Sequence, residues 1–158
     1  SAMCAIGQVP LDGDLVIVNG DQLLDVDLHE IIDAWRDSDL DAGTGVFDAT
    51  HPRWSYVRVD ADDHVVEAAE KRPISRHATA GVYWFRRASD FFDAAQQMIL
   101  QGSTQKAAYF ICPTLNELVL DGKTVGISRI SRDAYHSFKY PDELEDYVRE
   151  QRRQAVRA

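Results

Sequence analysis

Two spacings of apolar residues alternate along the chain. Short β-branched runs read as strands, and stretches with apolar residues three and four apart read as helices. Asp14 to Asn19 is the first such run, expected as a buried strand closed by Gly20. Asp27 stands where a helix cap belongs, and Leu28, Ile31, Ile32 and Trp35 share one face of a helix over Leu28 to Arg36. "AGTGVFDAT" (42–50) predicts a second strand and "YVRVD" (56–60) a third. Asp62-Asp63 then turns the chain into "HVVEAAEK" (64–71), the expected hairpin partner. "AGVYWFRR" (80–87) is rich in aromatic and β-branched types and predicts a further strand.

The second half continues the alternation. Ser89 is placed to cap a helix reaching about Leu100, with Phe91, Phe92, Ala95 and Met98 as its apolar positions. "PTLNELVLDG" (113–122) predicts a shorter helix stopped by Gly122, and "KTVGISRI" (123–130) a late strand. Pro141 suits the first turn of a last helix, where Asp142 and Glu143 face the positive end of the helix dipole. Leu144, Tyr147 and Val148 give that helix its stripe. Strands alternating with helices, plus one hairpin, predict an α/β class with a mixed, mostly parallel sheet flanked by helices. Residues 1–158 read as one domain, and 45% hydrophobic content suffices for a core. In such sheets ligands collect beyond the carboxyl ends of strands, which is where Asp21 falls.

Charge narrows the partners. A net charge of −9 excludes the basic surface by which proteins neutralise a nucleic-acid backbone. The C-terminal arginines, Arg149, Arg152, Arg153 and Arg157, read as a solvated helix end. No apolar run approaches the ~20 residues of a membrane span, and no signal-peptide pattern opens the chain. Cys4 and Cys112 stand far apart without metal-ligand spacing, so both are expected as reduced, buried thiols of a cytoplasmic protein.

Few residues are placed for chemistry. Asp21 follows a strand and a glycine; it can hold Mg²⁺, which takes oxygen ligands, or it can make a local turn bond. Glu70 and Lys71 end the hairpin strand: a carboxylate for sugar hydroxyls and a point charge for a phosphate, or a surface pair before Pro73. Ala80 and Gly81 permit close backbone approach to a ligand, or simply pack without clash. The five histidines are scattered and read as solvated, His77 lying in a basic loop with Lys71, Arg72 and Arg76. Neither a nucleophile elbow nor a glycine-rich phosphate loop is present.

Taken in order, "VNGDQ", "DAGTGVFDATHPRWSYVRVD", "VVEAAEKRP", "TAGVYWFRRASDFF", "ICPTLNELVLDGKTVGISRI" and "YHSFKYPDELEDY" resemble the sugar-1-phosphate nucleotidyltransferases, the NDP-sugar pyrophosphorylases. The resemblance covers about residues 1 to 148 and is greatest to members serving capsule or surface-polysaccharide precursor synthesis. It implies a Rossmann-like fold and Mg²⁺-dependent joining of a sugar 1-phosphate to a nucleoside triphosphate, with release of pyrophosphate. By the same resemblance Asp21 is a catalytic and metal-binding residue, and Lys71 is catalytic. Asn19, Gly20, Glu70, Lys71, Ala80 and Gly81 then bind substrate.

The departures are specific. The family's N-terminal loop of type G-x-G-T-R, followed by P-K, has no counterpart, so the chain is expected to be the sugar-binding part of a larger domain and inactive alone. The family's second metal aspartate, in a W-x-D-x-G-T-P stretch, aligns with Ser137, and the glycine after it with Lys139. Val57 stands for a glycine after Tyr56, and Thr79 for an asparagine before Ala80. A second reading is therefore a non-catalytic module that binds a sugar phosphate or NDP-sugar. An edge left unpaired by a missing strand predicts a homo-oligomer.

Overall fold

The computed structural model describes residues 2–102 and 109–157. Its framework is a six-stranded sheet built on one long strand. That strand, β6 (His77–Phe85), is buried along nearly its whole length. Side chains alternate across a strand, and here both faces are covered. Tyr83 and Phe85 enter one cluster with Phe91, Phe92, Leu115 and Leu118. Ala78, Ala80, Val82 and Trp84 enter the other, with Trp35 and Phe47. A strand covered on both sides carries no polar alternation, which is why its sequence is a continuous apolar run.

β3 (Ala42–Asp48) pairs with β6 antiparallel on one side and with β7 (Val125–Arg129) in parallel on the other. The opposite edge of β6 is shared. β1 (Leu15–Val18) pairs with its later half, Val18 opposite Val82, and β4 (Tyr56–Val59) with its beginning, Tyr56 opposite Ala78. β5 (Val65–Ala69) completes a hairpin with β4. Asp63 turns it at φ +63°, and the Asp60 carboxylate accepts from the amides of Asp62 and His64. The mixed sheet and the hairpin are as expected. The preponderance of parallel pairs is not: among the described pairings only β3 with β7 is parallel.

Helices cover both faces. α1 (Leu28–Arg36) starts at Asp27, whose carboxylate accepts from the amide of His29 at 2.8 Å, and its apolar stripe packs on Trp84 through Trp35. α2 (Ala88–Leu100) and α3 (Thr114–Leu120) pack together on the other face. α2 begins one residue before Ser89; Arg87 holds the cap position and no side chain caps it. The Asn116 side chain bonds both the N–H and the carbonyl of Ala68, satisfying the outer edge of β5. An isolated bridge from His64 to Gly126 covers part of β7. β1 has no second partner strand among the described residues, and it is only half-buried rather than buried as expected, because it lies at an edge.

A two-stranded ribbon was not anticipated. β2 (Gln22–Leu24) pairs with β8 (Tyr135–Ser137), Gln22 opposite Ser137. Three-residue strands carry too little pattern to be read from sequence. α4 (Pro141–Arg157) follows and rests on the ribbon through Tyr147, which stacks near His136 and Phe138. Leu144 and Val148 remain partly exposed. Of the cysteines, Cys112 is buried as expected but Cys4 is exposed; neither forms a disulfide.

Candidate functional site

The shared edge of β6 leaves a gap. Between the start of β4 and the end of β1 lie Thr79, Ala80 and Gly81, whose backbone groups find other partners. Thr79 N–H donates to the Ser55 carbonyl, Asn19 N–H to the Gly81 carbonyl, and the Gln22 amide to the Ala80 carbonyl at 2.7 Å. A change of strand partner opens a crevice for the same reason a topological switch point does. Here the crevice is a cavity of about 290 Å³, and the segments following β1 and β5 both run into it.

Asn19, Asp21, Glu70 and Lys71 line this cavity together, so four of the residues singled out in the sequence meet across about fifty positions of chain. Gly20, Ala80 and Gly81 are not in the lining. Gly20 has neither a positive φ nor a neighbour that a Cβ would meet. Gly81 is the glycine the backbone requires. Its φ is +65°, and a Cβ there would fall 2.4 Å from the Asn19 side-chain nitrogen and 2.5 Å from the Gln22 Oε1. Ala80 and Gly81 therefore form a rib beneath the lining residues.

Lys71 is a second backbone special: a lysine at φ +52°. That region is unfavourable for residues with a Cβ, and such strain concentrates at functional sites. Its ammonium sits 4.9 Å from the Phe110 ring centroid. Glu70 beside it is 7% exposed and accepts a short hydrogen bond from the Ser55 hydroxyl. Behind them is a polar layer. The Thr79 and Tyr83 hydroxyls are 3.0 Å apart, and the Cys112 thiol donates to the Tyr56 carbonyl at 3.8 Å. Burial pushes the Tyr83 phenol well above its ordinary range. Burial, with the Glu70 charge behind it, lifts the Cys112 thiol to about 12, so it is no nucleophile.

The opposite wall comes from Arg53, Trp54 and the ribbon, with the start of α4 behind it. Asp21 is tied to it by its carbonyl, which accepts from Phe138 N–H at 2.8 Å. Burial, and next the Asp21 charge, raise the Tyr135 phenol to about 12. Arg53 completes the wall. Its Nη2 donates to Glu143 at 2.6 Å and to the Ser137 hydroxyl at 3.2 Å, and its guanidinium lies 4.3 Å from the Trp54 ring centroid. Ser137 in turn donates to the other Glu143 oxygen at 3.0 Å, which also accepts from Tyr140 N–H. Burial works to raise the Glu143 carboxyl, but these bonds outweigh it and hold the group below its ordinary value.

Sequence reasoning missed Arg53, Trp54, Ser55, Tyr109, Phe110 and Glu143 as components of this region. Arg53 and Glu143 are 90 positions apart, and an arginine before a tryptophan in a loop carries no spacing that points to its partner. Of the basic loop near His77, Arg72 pairs with Glu67 and Arg76 with Asp48, and neither lines the cavity. Asp60, Asp62 and His64 cluster at the hairpin turn, away from the cavity lining.

No protein-family model matches the chain, and no curated protein matches it either. Solved structures do. It superimposes on the nucleoside-diphosphate-sugar pyrophosphorylase from Vibrio cholerae RC9 with a TM-score of 0.75 and 24% identity, over 92% of this chain and 59% of that one. The inositol-1-phosphate CTP transferase from T. maritima gives 0.67 and 16%, over 94% and 58%. A CMP:2-keto-3-deoxy-manno-octonic acid synthetase complexed with CTP gives 0.64 and 17%, over 98% and 69%. The chain spans 59% of the length of the Vibrio protein and has the nucleotidyltransferase fold over that part. No helix among the described residues is long and apolar enough to cross a membrane.

Proposed function

We propose that this chain is the sugar-phosphate-binding part of a sugar-1-phosphate nucleotidyltransferase, one that makes an NDP-sugar for polysaccharide precursors in the cytoplasm. The observation that carries the reading is the single hollow lined by Asn19, Asp21, Glu70 and Lys71, at the ends of β1 and β5. Transfer of a nucleotidyl group asks for little covalent help and much positioning of charge. Lys71 offers a point charge to the sugar phosphate, and Glu70 and Asn19 offer polar groups to sugar hydroxyls. The nucleoside triphosphate would require a phosphate cradle that this sequence does not contain.

The donor set decides how far Mg²⁺ suits the cavity. Magnesium is held through one or two carboxylates together with waters and substrate phosphates. Asp21 provides one carboxylate. Ser137, aligned with the second, is bonded to Arg53 and Glu143, and Glu143 is bound to Arg53. Among the described residues, no group of three or more His, Cys, Asp or Glu ligand atoms includes Asp21. The residues present do not fit a two-carboxylate metal site.

The same Arg53–Ser137–Glu143 arrangement favours the second reading, a binding module without catalysis. Two assays separate them. We expect no pyrophosphate release by residues 1–158 with any pair of sugar 1-phosphate and nucleoside triphosphate; robust turnover refutes the inactive-alone reading. Calorimetry with hexose 1-phosphates should show binding that Lys71→Gln weakens at least tenfold, and binding indifferent to Lys71 contradicts the assignment of the site. Self-association belongs to the proposal as well, through the outer edge of β1 pairing with a second copy. A light-scattering mass of one chain speaks against it.

A further inference from the structure

We infer that Arg53 is the anion-binding residue of this cavity, and that with Lys71 it holds the ligand's phosphate without a divalent cation; the inference rests on the sugar-phosphate reading above. A guanidinium suits this role when it is held still and still has free donors. Arg53 meets both conditions. Its Nη2 is anchored to Glu143 and Ser137, and the Trp54 ring lies against it. Its Nε and Nη1 make no hydrogen bond with any described residue, so these donors are left for a ligand. It lines the same cavity as Lys71.

Charge points the same way. Lys71 and Lys139 line the cavity with Arg53, whose charge is shared with Glu143, against two carboxylates, Asp21 and Glu70, of which Glu70 is buried and bound by Ser55. Glu143 is engaged with the guanidinium and unavailable to a metal. A fixed cation thus occupies the side of the site where Ser137 replaces a metal ligand. Guanidinium and divalent ion would serve the same purpose there, drawing phosphate oxygens against one wall. The present residues supply the first and, beyond Asp21, no free second carboxylate for the second.

The test is calorimetric titration of the full chain with a panel of hexose 1-phosphates and with inorganic phosphate, once in EDTA and once in Mg²⁺. We expect affinities in the two media to agree within about twofold, and Arg53→Gln to weaken binding at least tenfold in both. Should Arg53→Gln fail to fold, as judged by circular dichroism, Arg53→Lys keeps the charge but not the fork, and a loss of at least fivefold is expected. Binding raised tenfold or more by Mg²⁺ and left unchanged by the Arg53 variants overturns the inference while sparing the sugar-phosphate reading. Absence of binding in both media overturns both.

Discussion

Lys71 and Arg53 reach the same hollow, yet one is placed by its own backbone and the other by side chains distant in sequence. Lys71 follows β5 directly, turned by a left-handed φ of +52° toward the Phe110 ring. Arg53 sits in a loop and is aimed by Ser137 and Glu143, 84 and 90 positions away. The first device stores strain; the second depends on the ribbon and α4 being docked. A cation fixed by strain weakens the fold it stands on, whereas a cation fixed by an ion pair contributes to that fold. The two walls should therefore answer differently to substitution.

The largest effect is expected at the rib beneath both walls. Gly81→Ala places a Cβ in a left-handed residue and against the Asn19 and Gln22 side chains. Strain and overpacking together should cost about 3 kcal/mol of stability by urea denaturation. A loss below about 1 kcal/mol shows that Asn19 moves aside freely. Next comes Lys71→Gly, which should stabilise the fold by about 1 kcal/mol while hexose 1-phosphate affinity falls at least tenfold. Destabilisation by this change contradicts the claim that strain holds the lysine in place.

These contrasts also explain what the sequence disclosed. The segments after β1 and β5 are read locally: a β-branched run, its end, and the polar residues that follow, so the four cavity-lining positions Asn19, Asp21, Glu70 and Lys71 are legible there. α1 was legible from Asp27 and four apolar positions, and α4 from Pro141. Strand direction was not, since alternation with helices suggests crossovers while β1, β3 and β4 all meet β6 antiparallel. Gly81 reads as room for a ligand or as packing without clash, and Gly20 as a turn. The structure gives the positive φ to Gly81 rather than Gly20, a demand set by the packing of Asn19, which no local pattern shows. Arg53 stayed hidden because its placement comes from a ribbon of three-residue strands.

The other wall predicts smaller changes. A double-mutant cycle on Arg53→Gln and Glu143→Gln should return a coupling of about 0.5–1 kcal/mol, modest because both groups are partly exposed. A coupling near zero means that Glu143 does not brace the guanidinium. The smallest effect concerns pH. Glu143 is held below its ordinary 4.5, so its contribution is fully present above 4.5 and is lost as pH falls through the lower folded value. Glu143→Gln should flatten the acid limb of the stability profile below about pH 4.5. Profiles of identical shape for the two proteins contradict that role.

The most direct measurement is a crystal structure of the chain with a hexose 1-phosphate, grown in EDTA. The phosphate should lie in the cavity within hydrogen-bonding distance of both the Arg53 guanidinium and the Lys71 ammonium. A phosphate seated elsewhere, or one found in the cavity only when Mg²⁺ is supplied and bound there through Asp21, contradicts the account.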